Sequence, residues 1–272
     1  MNDLQLMHEV VKLALTAGEA ILPFWRADVA VTNKADDSPV TAADLAAHRV
    51  IAEGLLALAP HIPVLSEEDC NIPLAERQGW SRWWLVDPLD GTKEFIAGSE
   101  EFTVNIALVE NGEVVFGVVS MPTNGRCYFG GRGLGAWRAE AGEAAQPIQV
   151  RNAPAVDERF TVVASRRHSS PEQEALLAGL GAAVGELELA NIGSSLKFCL
   201  LAEGSADCYP RLAPTSQWDT AAAQGVVEGA GGEVIGLDGL PFRYPARDSL
   251  LNPYFLALPA NATWRQAFLK LI

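Results

Sequence analysis

A chain of 272 residues with 49% hydrophobic side chains has enough apolar material for one large domain or two closely joined ones. Its 20 basic and 34 acidic side chains leave a net charge of −14, a field that repels nucleic-acid polymers and acidic membrane surfaces. No run approaches eighteen apolar residues and Met1-Asn2-Asp3-Leu4 lacks the basic start of an export signal, so a cytoplasmic protein without a transmembrane segment is expected.

Leu4, Met7, Val11, Ala14, Leu15, Gly18 and Leu22 share one face of a helix that should end near Pro23. Asn33 to Pro39 is polar, and a second helix is expected from about Thr41 to Leu58. Pro63-Val64-Leu65-Ser66 reads as a short strand running into the acidic loop Glu67-Glu68-Asp69. Trp83 to Val86 reads as a buried strand that ends in Asp87 and Asp90, with Pro88 and Leu89 between them and Gly91-Thr92 after. Thr103 to Val109 and Val114 to Ser120 are β-rich and joined through Asn111-Gly112, a hairpin signal. Short strands follow to about Trp137. The Ala-rich stretch Ala139 to Gln146 is the candidate seam between domains 1–145 and 146–272. Beyond it, strands at 160–164, 186–190, 206–209 and 254–258 interleave with helices at 171–180, 194–202 and 219–228. The first half reads as α+β, the second as α/β, and the chain as α/β overall.

Several acidic residues have both a chemical and a structural reading. Asp87 and Asp90 at a strand end could hold a divalent cation beside an anion bound by the Gly91-Thr92 backbone, or could be ordinary turn residues. The Asp-x-x-Asp spacing does not fit the Asp-x-Asp pattern of aspartyl-phosphate phosphatases. Glu67 ends a strand as Asp87 does and is the better ligand, whereas Glu68 and Asp69 read as a solvated loop. Thr41 with Asp44 resembles a capping box, which does not stop Asp44 from also facing a site. Asp219 in Trp218-Asp219-Thr220-Ala221-Ala222-Ala223 reads in isolation as a helix N-cap. Gly131-Arg132-Gly133-Leu134-Gly135 lacks the context of a dinucleotide fingerprint, and no Walker sequence occurs. Four scattered cysteines and four histidines give no zinc spacing and no disulfide framework.

Taken in order, Glu67, then Asp87-Pro88-Leu89-Asp90-Gly91-Thr92, then Trp218-Asp219 resemble the magnesium-dependent, lithium-sensitive phosphatases related to inositol monophosphatase. The resemblance covers nearly the whole chain. Lys34-Ala35-Asp36, Ser38-Pro39-Val40-Thr41-Ala42-Ala43-Asp44, Leu65-Ser66-Glu67-Glu68-Asp69, Asp90-Gly91-Thr92-Lys93-Glu94-Phe95 and Gly193-Ser194-Ser195-Leu196-Lys197-Phe198-Cys199 are similar to the CysQ-type 3'(2'),5'-bisphosphate nucleotidases of that superfamily. The resemblance implies a layered αβαβα sandwich and hydrolysis of adenosine 3',5'-bisphosphate to AMP, with its sulfated relative PAPS as a further substrate. It also implies that Glu67, Asp87 and the Leu89 carbonyl hold one Mg²⁺, that Asp87, Asp90 and Asp219 hold a second, and that a third, weaker ion sits near Glu67. Asp44 and Thr92 would orient the attacking water, and Gly91 and Thr92 would bind the scissile phosphate. Ser194, Lys197, Arg211 and His168 would contact the nucleotide, with Arg166 and Arg167 as neighbours; cations there favour a second phosphate over a neutral polyol. An inositol or sugar phosphatase on the same scaffold is the alternative. A non-catalytic phosphometabolite-binding protein is the alternative of another class. The partner expected is a small nucleotide bisphosphate, and attachment to the inner face of a membrane is left open.

Overall fold

Residues 83–89 and 102–109 are buried without interruption, and a strand covered on both faces requires a layer on each side of its sheet. The computed structural model describes residues 1–27, 32–33, 39–154, 159–164 and 171–271. In chain order the elements are α1 (Asp3–Ile21), β1 (Thr32–Asn33), β2 (Pro39–Val40), α2 (Ala42–Leu58), β3 (Val64–Ser66), α3 (Leu74–Arg77), β4 (Arg82–Asp90), α4 (Thr92–Ile96), β5 (Thr103–Glu110), β6 (Glu113–Met121), β7 (Arg126–Gly131), β8 (Gly135–Ala139) and β9 (Gln146–Pro147). The second half continues with β10 (Phe160–Ala164), α5 (Pro171–Val184), β11 (Leu187–Asn191), α6 (Leu196–Ala202), β12 (Tyr209–Arg211), α7 (Ala221–Gly229), β13 (Gly232–Gly236), β14 (Phe255–Pro259) and α8 (Arg265–Phe268).

A seven-stranded sheet runs in the order β3-β4-β5-β6-β7-β8-β9; β3 pairs with β4 in parallel and the other pairs are antiparallel. In the second half β10 and β11 are parallel, and β12-β14-β13 are antiparallel. A parallel bridge between Val162 and Cys208 sets the two groups side by side.

Alternation along each strand sends successive side chains to opposite layers. Trp84, Val86, Ile106, Leu108 and Phe116 pack against Met7, Val10 and Ala14 of α1 and Ala47, Ile51 and Leu55 of α2. Leu85, Ala107, Val109 and Val119 face the other way, onto Ala222, Val226 and Val227 of α7 and Phe198 of α6. Tyr209, Val234, Phe255 and Ala257 close that same core from the second sheet. The far side of the second sheet, with Val162, Ile235, Leu256 and Leu258, is covered by Leu176 and Leu180 of α5 and Phe268 of α8. The layers are therefore α, β, α, β, α, as the family resemblance implied. Each fully buried aliphatic or aromatic side chain contributes about 1.5–3 kcal/mol to holding them together.

The middle layer is close because it is built of small residues. A Cβ on Gly117 of β6 would sit 1.8 Å from the Ala222 carbonyl oxygen, and one on Gly225 of α7 would sit 2.4 Å from the Gly117 nitrogen. Glycine lets helix and sheet meet backbone to backbone, which brings the N-terminal end of α7 down onto the large sheet.

Several boundaries differ from the expected ones. The strand from Trp83 runs on through Asp90, with an irregularity in its pairing between Asp87 and Asp90, so both aspartates lie within β4 rather than beyond it. The helix expected from Ser194 starts at Leu196, because Ser194 has a left-handed φ of 47°. The strand expected over 206–209 occupies Tyr209–Arg211, and β13, flanked by glycines, gave no sequence signal. Asp219 does not cap α7: it ends a 3-10 turn, Gln217–Asp219, and accepts from the Ser216 N–H at 2.8 Å. Asn111 (φ 51°) and Gly112 (φ 81°) do form the expected hairpin turn, and Gly131 to Gly135 is the turn between β7 and β8.

Candidate active site

The C-terminal end of β3 and the irregular part of β4 deliver their carboxylates to the same place. The Glu67 N–H donates to the Val86 carbonyl at 3.0 Å, which sets Glu67 beside Asp87. Asp87 is buried, and its Oδ1 accepts from the Leu89 N–H at 3.0 Å, which fixes the side chain across the Pro88 turn. Gly91, with φ 95°, then turns the chain into α4; a Cβ there would approach the Glu101 carbonyl oxygen to 3.1 Å. Glu67, Asp87, Leu89, Asp90, Gly91, Thr92 and Asp219 line one cavity of about 540 Å³.

Asp44 stands behind that cavity. Its Oδ2 accepts from the Thr41 N–H at 2.8 Å and the Thr41 hydroxyl at 2.7 Å, so the capping box is present. Thr92 Oγ1 lies 3.3 Å from both Asp44 Oδ1 and the Leu89 carbonyl oxygen, and its one proton is shared between them. The two readings of Asp44 therefore coexist: one oxygen caps α2 and the other reaches Thr92.

Crowded carboxylates in a buried setting disfavour ionisation. Burial, then the charges of Glu67, Asp90 and Asp219, push the Asp87 carboxyl well above its ordinary value. Burial and then Asp90 push Asp219 up to about 8, against the opposing hydrogen bond from Ser216. Among the described residues no three Asp, Glu, His or Cys side chains are grouped so as to hold a metal ion as they stand. The donor set nonetheless fits a hard divalent cation. It consists of carboxylate and carbonyl oxygens around one cavity, and positive charge there would offset the burial, and then the repulsion, that drive Asp87 and Asp219 towards neutrality.

The lining of the same cavity also carries cations. Ser194, Lys197 and Arg211 all line it. Lys197 is buried and its Nζ donates to the Ser194 carbonyl at 3.0 Å; burial lowers the ammonium's pKa, and nearby Asp90 partly restores it. Arg211 donates through Nη2 to the Pro214 carbonyl at 3.3 Å, while its buried Nε has no hydrogen-bond partner among the described residues. The buried Ser194 Oγ likewise has none among the described residues. His168, Arg166 and Arg167 lie outside the described residues, as does the Lys34-Ala35-Asp36 segment.

A sequence model of the inositol monophosphatase family matches residues 3–267. The chain belongs to that family. Among its relatives, the 3'(2'),5'-bisphosphate nucleotidase CysQ of Shigella flexneri is 50% identical over 254 residues, which is 92% of this chain and 98% of that protein. The protein of the same name from Aggregatibacter actinomycetemcomitans is 38% identical over 269 residues, covering 97% and 96%. Among solved structures, CysQ from Bacteroides thetaiotaomicron, described as a bacterial member of the inositol monophosphatase family, superposes with a TM-score of 0.81 at 39% identity, over 94% of this chain and 98% of its own. An inositol monophosphatase from Zymomonas mobilis gives 0.75 at 27% identity, over 99% and 97%.

Two buried polar residues that sequence reading assigned no role stand within this inositol monophosphatase-family site. Asn105 interrupts the apolar run of β5, and Ser195 lies between Ser194 and Lys197; both hydrogen-bond to Asp90. The signal for Asn105 was available, since an amide in a strand covered on both faces must have a partner.

Proposed function

We propose that this chain is a Mg²⁺-dependent phosphatase that removes the 3'-phosphate of adenosine 3',5'-bisphosphate, giving AMP and inorganic phosphate, and that also accepts the sulfated relative PAPS. The reading draws on the 50% identical nucleotidases and on one observation above all: a single cavity is lined both by Glu67, Asp87, Asp90 and Asp219 and by Ser194, Lys197 and Arg211. The carboxylates suit a cation-bound phosphate, and the cations suit a further anionic group on the same molecule.

In this reading Glu67, Asp87 and the Leu89 carbonyl would hold one ion, Asp87, Asp90 and Asp219 a second, and Glu67 would be near a third, weaker one. When bound, the ions supply Lewis-acid charge that activates water and offsets the negative charge of the phosphoryl oxygens. The chain's own groups do the rest. Thr92 Oγ1, with its proton directed towards Asp44 Oδ1, offers lone pairs that orient the incoming water, and Asp44 accepts the proton passed through that hydroxyl. Asp44 keeps its place because Thr41 holds its other oxygen. The backbone at Gly91 and Thr92 would bind the scissile phosphate, Ser194, Lys197 and Arg211 would clamp the 5'-phosphate, and His168 would be a further contact to the nucleotide.

Phosphate release from adenosine 3',5'-bisphosphate and from inositol 1-phosphate, each with and without Mg²⁺, tests this. The bisphosphate is expected to turn over faster and only with the metal. Preference for the inositol ester would move the chain to the inositol phosphatases, and nucleotide binding without phosphate release would make it a binding protein.

A further inference from the structure

One oxygen of Asp90 is heavily subscribed. The Ser195 backbone N–H donates to Oδ2 at 2.6 Å, Ser195 Oγ lies 2.8 Å from it, and Asn105 Nδ2 donates to it at 3.3 Å. Ser195 Oγ also lies 2.8 Å from the Asp219 carbonyl oxygen and accepts from Asn105 Nδ2 at 2.9 Å. The Thr103 hydroxyl donates to Asn105 Oδ1 at 3.0 Å, which orients the amide so that its nitrogen faces Ser195 and Asp90. Ser195, Asn105 and Thr103 are all buried, so water does not compete for these bonds.

Donors from two directions on one oxygen fix the rotation of a carboxylate. They leave Oδ1, to which no described residue donates, as the oxygen with capacity to spare. The same hydroxyl touches the backbone of Asp219, which reaches the site from the opposite half of the chain on the turn before α7. We propose that Ser195 is a positioning residue: its hydroxyl sets the orientation of Asp90 and its separation from Asp219, and divalent-cation affinity depends on it. The inference rests on the proposed cation-holding role of those two aspartates and deepens it. A hydroxyl that merely satisfied buried neighbours would support the fold without affecting cation binding.

Mn²⁺ is the probe, titrated into substrate-free protein with free Mn²⁺ counted by electron paramagnetic resonance. Ser195→Ala removes the hydroxyl, Ser195→Cys keeps the volume and guards against a packing failure in the alanine variant, and Ser195→Thr retains the hydroxyl. Loss of a group that orients a metal ligand lowers affinity by about 10–100-fold, so Ala and Cys are expected to bind Mn²⁺ at least about tenfold more weakly, with Thr within about threefold of native. Native-like Mn²⁺ affinity in Ala and Cys overturns the proposal, even if their melting temperatures fall. So does a Thr variant as impaired as Ala. If the native protein itself fails to bind Mn²⁺, the cation reading of the site falls with it; if the native protein binds and the variants match it, only the role of Ser195 falls.

Discussion

Asp219 is pushed up to about 8 from an ordinary value near 3.8, by burial first and Asp90 second. Its pKa is higher in the fold than in the unfolded chain, so its contribution to stability is fully present below about pH 4 and is lost as pH rises through about 8. Asp87 is driven the same way by burial and by Glu67. The cation-free protein should therefore melt at progressively lower temperature across that window. If the deprotonated carboxylates hold Mg²⁺, as proposed, the ion should restore more stability the higher the pH. Asp219→Asn carries no such titration. In EDTA at pH 8 the variant is expected to melt above the native protein, and a gain of about 1 kcal/mol would appear as about 2–4 °C. The Mg²⁺-induced rise should shrink in the variant. Thermal melts at pH 5 and pH 8, with EDTA and with Mg²⁺, check this; parallel behaviour of variant and native protein would contradict it. Sequence could not anticipate the shift. In isolation Asp219 reads as a helix cap, and although the family resemblance groups it with Asp90, only the packing of α7 against the large sheet shows that it is buried beside Asp90.

That packing is a property of elements, and it turns on glycine. Gly117 of β6 and Gly225 of α7 face each other across the middle layer, where a Cβ on Gly117 would overlap the Ala222 carbonyl. Neither partner there is a flexible side chain, so α7 would have to move as a body, and the turn carrying Asp219 would move with it. Overpacking of a core costs about 1–3 kcal/mol, and Gly117→Ala is expected at or beyond the upper end of that range, with loss of phosphatase activity. Gly181 in α5 is the contrast. An added Cβ there meets only Leu187 side-chain atoms at 3.6 and 3.7 Å, so Gly181→Ala is expected to stabilise by about 0.5–1 kcal/mol with activity retained. Urea unfolding of the two variants compares them directly; equal stability would show that the layer has room after all. Elements with a strong local signal were legible beforehand: α1 by its periodicity, the start of α2 by the Thr41 and Asp44 capping box, and the β5–β6 hairpin by Asn111-Gly112. β13 was not, because Gly232 and Gly236 leave only three residues of strand pattern between them. The late start of α6 was hidden for a related reason, since a serine in the left-handed region is set by tertiary contacts and not by local preference.

At the scale of the whole molecule, a net charge of −14 opposes an anionic substrate everywhere except where the fold gathers cations. Lys197 on α6 and Arg211 at the end of β12 are neighbours only because the middle helix layer and the second sheet close over the same cavity that β4 enters from the large sheet. The motifs announced the carboxylate half of this arrangement in the sequence itself, since Asp87 and Asp90 are local to one strand. The cationic half was reached through family resemblance, because nothing in the spacing of Lys197 and Arg211 places them together. If those cations hold a second phosphate, their removal should discriminate between substrates and not merely slow the enzyme. Hydrogen bonds to charged groups contribute about 1.5–3 kcal/mol, so Lys197→Ala and Arg211→Ala are each expected to lower kcat/KM for adenosine 3',5'-bisphosphate by about 10–150-fold. Adenosine 3'-monophosphate carries the same scissile ester without the 5'-phosphate, and its kcat/KM should change by less than about threefold in the same variants. Initial rates on the two nucleotides at saturating Mg²⁺ give the comparison. An equal loss on both would mean that these side chains serve the carboxylates, for instance by balancing Asp90, and that the second phosphate is held elsewhere.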